Sequence, residues 1–208
     1  MSEYVYKKQN TKYGTHSLKN NKSNNNTSVG FKALVLNDNG YQNTAVGSLP
    51  LSSNESGINN TAVGYKSLEN NVDDSNTAIG SLTGETLITG TQNVLIGRSS
   101  DTSSSDSVNE IVIGAYSKGH QDNSIVLGNS NISKIEPGSN NKTDLGSSTY
   151  KFKDLHIDGE IYKDGEQFSI NDLSDCVLQA PDSVGNLFIG INVGSKCTYD
   201  GEDITTGG

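Results

Sequence analysis

Side chains able to do chemistry are sparse in this 208-residue chain, and their spacing limits what they can do. His16, His120 and His156 lie in unrelated contexts, so each reads as a surface imidazole rather than as part of a metal site or proton relay. Asp73-Asp74, Asp101 and Asp106 sit in polar stretches, where carboxylates could form the acid pair of a glycan-cleaving solenoid or hold calcium. No EF-hand-like ligand order surrounds them, and they read as solvated turn residues. Cys176 and Cys197 could form one disulfide or stay as two thiols, and with no disulfide framework elsewhere unpaired thiols are expected. The glycines do not cluster into a phosphate loop. No catalytic residue, cofactor or metal is therefore expected, and the chain reads as a non-enzyme.

Two polar ladders and a set of aromatic residues suggest binding instead. Thr27, Thr44, Thr61 and Thr77 recur at one phase, with Asn26, Asn43, Asn60 and Asn76 one residue earlier. A regular Thr array on a flat β-solenoid can match an ice lattice. Further along, however, the Thr phase becomes Val94, Ile111 and Ile125, as expected of a half-buried position where Thr and Val are near-isosteric. The Asn side chains are expected to bond from coil to coil and so satisfy turn groups. Tyr13, Phe31, Tyr41 and Tyr65 fall at or beside repeat turns, where they could form a receptor surface that stacks on glycan.

The elements that position these residues come from one repeat. Gly14, Gly30, Gly47, Gly64, Gly80, Gly97, Gly114 and Gly128 are separated by 16, 17, 17, 16, 17, 17 and 14 residues. Most close a phrase such as Asn43-Thr44-Ala45-Val46-Gly47 or Asn76-Thr77-Ala78-Ile79-Gly80. One β-rich phrase per short period predicts an all-β parallel solenoid, each repeat one coil of about 17 residues. Seven to eight coils would stack into a rod roughly 35 to 40 Å long, with strands perpendicular to its axis. Immediately before the glycines stand Val29, Val46, Val63, Ile79, Ile96, Ile113 and Leu127, aliphatic throughout and expected to point into the coil interior. One residue earlier, Ser28, Ala45, Ala62, Ala78, Leu95, Val112 and Val126 would then face outward against a neighbour. Leu18, Leu34, Leu51 and Leu68 follow their glycines by four residues and are expected in a second strand of each coil.

Composition supports a shared core. Only 31% of the residues are hydrophobic and Trp is absent, too little for a globular domain of this length, so homo-oligomerisation is expected. The net charge of −9, with Lys scattered, argues against a nucleic-acid surface. Nowhere do apolar residues run the roughly 18 to 20 positions of a membrane span, and no signal-peptide pattern opens the sequence. Neither secretion nor membrane insertion is expected. The period predicts a lead-in at residues 1–9, the repeat region at 10–132, a different β segment at 133–164 and a small β module at 165–208. In the third part, Leu155, Ile157 and Ile161 suggest strands joined at Asp158-Gly159. In the fourth, Asn186-Leu187-Phe188-Ile189-Gly190 echoes the repeat.

The phrases Asn60-Thr61-Ala62-Val63-Gly64-Tyr65-Lys66-Ser67-Leu68 and Asn109-Glu110-Ile111-Val112-Ile113-Gly114 resemble the head repeats of trimeric autotransporter adhesins of the Yersinia type. That resemblance implies a left-handed parallel β-roll, three chains side by side, and binding to host surface molecules. Residues 145–159, from Leu145-Gly146-Ser147-Ser148 through Tyr150-Lys151-Phe152-Lys153-Asp154 to Gly159, are similar to a segment of tail-fibre and spike proteins of phages and large DNA viruses. Together the two resemblances imply a homotrimeric virion fibre of tail or capsid, attached to other virion proteins and bearing a surface for a host glycan or protein receptor. The alternatives are the head of a bacterial surface adhesin, or an ice-binding or carbohydrate-active solenoid.

Overall fold

The computed structural model describes residues 9–139, 142–163 and 166–167. The chain divides into two compact units, Met1–Gly138 and Ser139–Gly208. In the first, eight three-residue strands form one parallel sheet: β1 Thr11–Tyr13, β2 Thr27–Val29, β3 Thr44–Val46, β4 Thr61–Val63, β5 Thr77–Ile79, β6 Val94–Ile96, β7 Ile111–Ile113 and β8 Ile125–Leu127. Each strand pairs with the next in chain order, and partners lie 16, 17, 17, 16, 17, 17 and 14 residues apart. Parallel strands so close in sequence can pair in register only if the intervening chain makes one full circuit, so the sheet is one wall of a seven-turn β-solenoid. No helix occurs among the described residues.

The coil interior is narrow and is filled by small side chains from the strands. The middle residue of β2 to β7 points inward: Ser28, Ala45, Ala62, Ala78, Leu95 and Val112 are all fully buried. Leu34, Leu51, Leu68 and Leu87 reach in from the opposite side, also fully buried. Removing such a Leu side chain from water contributes about 1.5 to 3 kcal/mol. Small residues on the strand leave room for these leucines. Where the strand residue grows to Leu95, Gly84 takes the leucine position, and a Cβ on it would crowd Leu68 and Leu95.

This corrects the expected strand register by one residue. Val29, Val46, Val63, Ile79, Ile96, Ile113 and Leu127 do not fill the coil interior; they project from the outer face of the sheet, beside the Thr column. Ile79, Ile96, Ile113 and Leu127 are 42%, 37%, 39% and 51% exposed. Both phases are apolar in the later coils, so hydrophobicity alone did not say which one enclosed the smaller space. The interior is too narrow for a Val or Ile on every coil together with a Leu opposite, so the Ser/Ala phase goes inside.

The leucine ladder is buried as expected but lies in turns, not strands. Leu18, Leu34, Leu51 and Leu68 have φ of 41°, 50°, 48° and 49°, and His16, Lys32, Leu49, Lys66, Leu82, Ser99 and Tyr116 are left-handed as well. Left-handed backbone disfavours residues bearing a Cβ by about 1 to 2 kcal/mol each. Here coil-to-coil hydrogen bonds hold it in place, for example Lys66 N–H to the Ser48 carbonyl at 2.9 Å and Leu68 N–H to the Thr83 carbonyl at 2.9 Å. The repeat glycines turn the chain at the end of each strand. A Cβ on Gly47 would come closer than 3.0 Å to the Gly64 carbonyl group, and one on Gly64 would meet Gly80 in the same way.

In the second unit the expected strands around Asp158-Gly159 do not form. Leu155, Ile157 and Ile161 are 65%, 50% and 50% exposed, and the only strand pair among its described residues is β9 Tyr162–Lys163 against β10 Glu166–Gln167, antiparallel. Alternating aliphatic residues make a strand only when a surface receives them, and none of the described residues covers these. Residues 145–150 do form a turn: Ser147 N–H donates to the Tyr150 carbonyl at 2.8 Å, and Ser147 Oγ accepts from Tyr150 N–H at 2.9 Å. Cys176, Cys197 and residues 186–190 lie outside the described residues, as does most of the 165–208 module.

Candidate functional surfaces

Three arrays arise from the coil geometry, one buried and two exposed. The buried array is the Asn ladder, which forms a continuous spine. Each Asn Oδ1 accepts the backbone N–H of its counterpart one coil later: Asn26 from Asn43 at 2.9 Å, Asn43 from Asn60 at 2.9 Å, Asn60 from Asn76 at 2.9 Å and Asn76 from Asn93 at 3.1 Å. Each Nδ2 donates to a carbonyl on the next coil, Asn43 to Gly57 at 2.7 Å and Asn60 to Asp73 at 2.7 Å. One primary amide thus satisfies a donor and an acceptor that the turn leaves open, with no water needed. The spine ends in Glu110, fully buried, whose N–H donates to Asn93 Oδ1 at 2.9 Å. Its carboxylate accepts from the Ser103 N–H at 3.0 Å and from the Ser103 hydroxyl.

The first exposed array is the outer sheet face. Two columns run up it, Thr27, Thr44, Thr61, Thr77, Val94, Ile111 and Ile125 beside Val29, Val46, Val63, Ile79, Ile96, Ile113 and Leu127. The face is mixed Thr/Val in β2 to β4 and wholly aliphatic from β6 to β8. At its foot, in register with Val29, stands Tyr13, 75% exposed.

The second exposed array is the corner just after the sheet. Phe31 and Tyr65 each follow a repeat glycine, two coils apart, or about 9.6 Å at 4.8 Å per coil. Tyr41 follows Gly40 instead and sits at a different turn. The four expected aromatic residues therefore do not converge: Phe31 and Tyr65 share a corner, Tyr13 belongs to the sheet face and Tyr41 to neither. Cations accompany the corner rings. Lys32 Nζ lies 5.2 Å from the Phe31 ring centre, Lys66 Nζ 5.9 Å from Tyr65, and the Arg98 guanidinium 5.3 Å from Tyr116. These cations and Tyr116 were legible only as the residues one and two places after each glycine. Lys66 also donates to Glu69 at 3.0 Å, and that hydrogen bond, aided by the carboxylate's charge, raises its pKa above the ordinary lysine value.

The other candidate residues are used locally. Asp74 Oδ1 accepts the Ile58 N–H at 2.8 Å, the Asp101 carboxylate accepts the Thr86 hydroxyl and N–H, and Asp106 accepts from Ser104 Oγ at 2.8 Å. The Asp73 carbonyl receives Asn60 and Asn71. His16 leans on Phe31 with ring centres 6.4 Å apart, while His120 and His156 are exposed in separate units. Among the described residues no group of three or more His, Cys, Asp or Glu is placed to hold a metal ion, and no helix is long and apolar enough to cross a membrane. Comparison with known protein families and with curated proteins finds no match.

Proposed function

We propose that this chain is a non-enzymatic fibre segment of a phage or large DNA virus, trimeric through the outer sheet face and used for attachment to the host. The observation that carries the reading is the unbroken aliphatic column from Val29 to Leu127 on the outside of a solenoid whose own core is already filled. Soluble monomers rarely expose a contiguous apolar strip of this kind. Three copies around one axis give every such face two neighbours. The resemblances of residues 60–68 to trimeric adhesin heads and of residues 145–159 to virion fibres support the same arrangement. The exposed Leu145, Tyr150, Phe152, Leu155 and Ile157 of the second unit are further apolar surface for a shared core.

The direct test is particles lacking the chain. They should assemble normally yet adsorb to host cells more slowly, because a rod contributes reach and avidity rather than chemistry. Adsorption at the normal rate would overturn the reading. A second reading rests on the same face: Thr27, Thr44, Thr61 and Thr77 stand beside Val29, Val46, Val63 and Ile79 in two straight columns at coil spacing, a geometry able to order ice. Measurable thermal hysteresis in a solution of the purified chain would favour it.

A further inference from the structure

Beside Phe31 the corner opens into a shallow concavity of about 500 Å³. His16, Lys19 and Lys32 line it together with the apolar side chains of Val35, Leu36 and Leu49 and with Ser52 and Ser53; no Asp or Glu lines it. In a chain of net charge −9 this is an unusual local balance. The repeat itself provides the control. Lys32 and Lys66 occupy equivalent positions, each two residues after its glycine, left-handed at φ 53° and near the preceding aromatic ring. Lys66 is neutralised by Glu69, three residues on. Val35 stands where that glutamate would pair Lys32, and among the described residues neither Lys32 nor Lys19 makes an ion pair. Phe31 neighbours two of these groups, His16 at 6.4 Å between ring centres and the Lys32 ammonium at 5.2 Å.

We propose that this concavity binds a carboxylated sugar unit of an acidic glycan, an assignment that rests on the attachment reading above and names its ligand class. The two ammonium groups would take the carboxylate, Leu49 and Val35 the C–H face of the ring, and the serine hydroxyls the sugar hydroxyls. An acidic peptide fits less well. Peptides gain affinity by adding main-chain hydrogen bonds, and here the N–H groups of Lys32, Leu49 and Ser53 are already given to the carbonyls of Thr15, Phe31 and Glu69 at 2.9, 2.9 and 3.0 Å.

The test is calorimetric titration of the full chain with tri-galacturonate, maltotriose and hexaglutamate at low and high ionic strength. Saturable, salt-weakened binding of tri-galacturonate alone is expected. The double variant Lys19→Gln/Lys32→Gln, at exposed and half-buried positions that leave the core untouched, should bind about tenfold or more weaker, the loss expected for charge-assisted hydrogen bonds. Lys66→Gln should bind as the unaltered chain does. Absence of tri-galacturonate binding, equal binding of maltotriose or hexaglutamate, or full binding by the double variant would each overturn the site. None of those results bears on whether fibreless particles adsorb, so the sugar site and the fibre reading fail separately.

Discussion

At the residue scale, the Asn spine and the left-handed corners set the largest local energies. Asn60→Ala would orphan one fully buried group, the Asn76 N–H, at a cost of about 1 to 3 kcal/mol, while the Asp73 carbonyl keeps its bond from Asn71 Nδ2. Thr61→Val, one residue later and half-exposed on the outer face, should be nearly neutral. Urea denaturation of the two variants checks the contrast, and similar midpoints would mean that the spine is satisfied some other way. Ser99 is the cleanest corner to probe, with φ 51° and no side-chain partner among the described residues. Valine there should cost about 1 to 2 kcal/mol, since a β-branched side chain crowds left-handed backbone, while glycine should be tolerated. Equal loss from both would point to the Ser99 side chain rather than its backbone angle.

At the scale of a coil, the strand register separates folding from assembly. Ala62 is fully buried and Val63 faces out, so the same charge in adjacent positions has different consequences. Ala62→Asp places an unpaired carboxylate in the coil interior and should abolish the β signal in circular dichroism. Val63→Asp should keep that signal and weaken self-association. Had the Val phase filled the interior, the two outcomes would be exchanged. Each coil meets only its neighbours, so removing residues 48–64 as one full period should leave a shorter folded solenoid with a smaller dependence of unfolding on denaturant. Removing half a period should unfold it, because every later inward residue would lose register.

For the whole molecule, the aliphatic content of the outer face rises from β2 to β8, so the strongest self-contact is expected toward the β8 end of the first unit. Multi-angle light scattering should return three times the 22.1 kDa chain mass. Ile96→Asp with Ile113→Asp should give a folded monomer, since both side chains are already partly in water in the single chain. A stable unaltered monomer would rule out the trimer. Full trimer with the double variant would move its interface off this face.

The period of the glycines by itself determined the solenoid: residues sharing a phase must share a place on the coil, and an Asn or Thr that recurs there must form a ladder. Those inferences need only the connectivity of the chain. Which strand face turned inward depended on the space left between the strand and Leu34, Leu51 and Leu68, a volume that the pattern Thr-Ala-Val does not contain. The leucines themselves read as a strand, because their buried side chains signal packing and nothing in the residue type announces a left-handed backbone. The concavity at Lys32 was hidden for a related reason. His16, Lys19 and Lys32 become neighbours only when adjacent coils stack, and Lys32 makes no ion pair among the described residues because Val35 occupies the place that Glu69 fills two coils away.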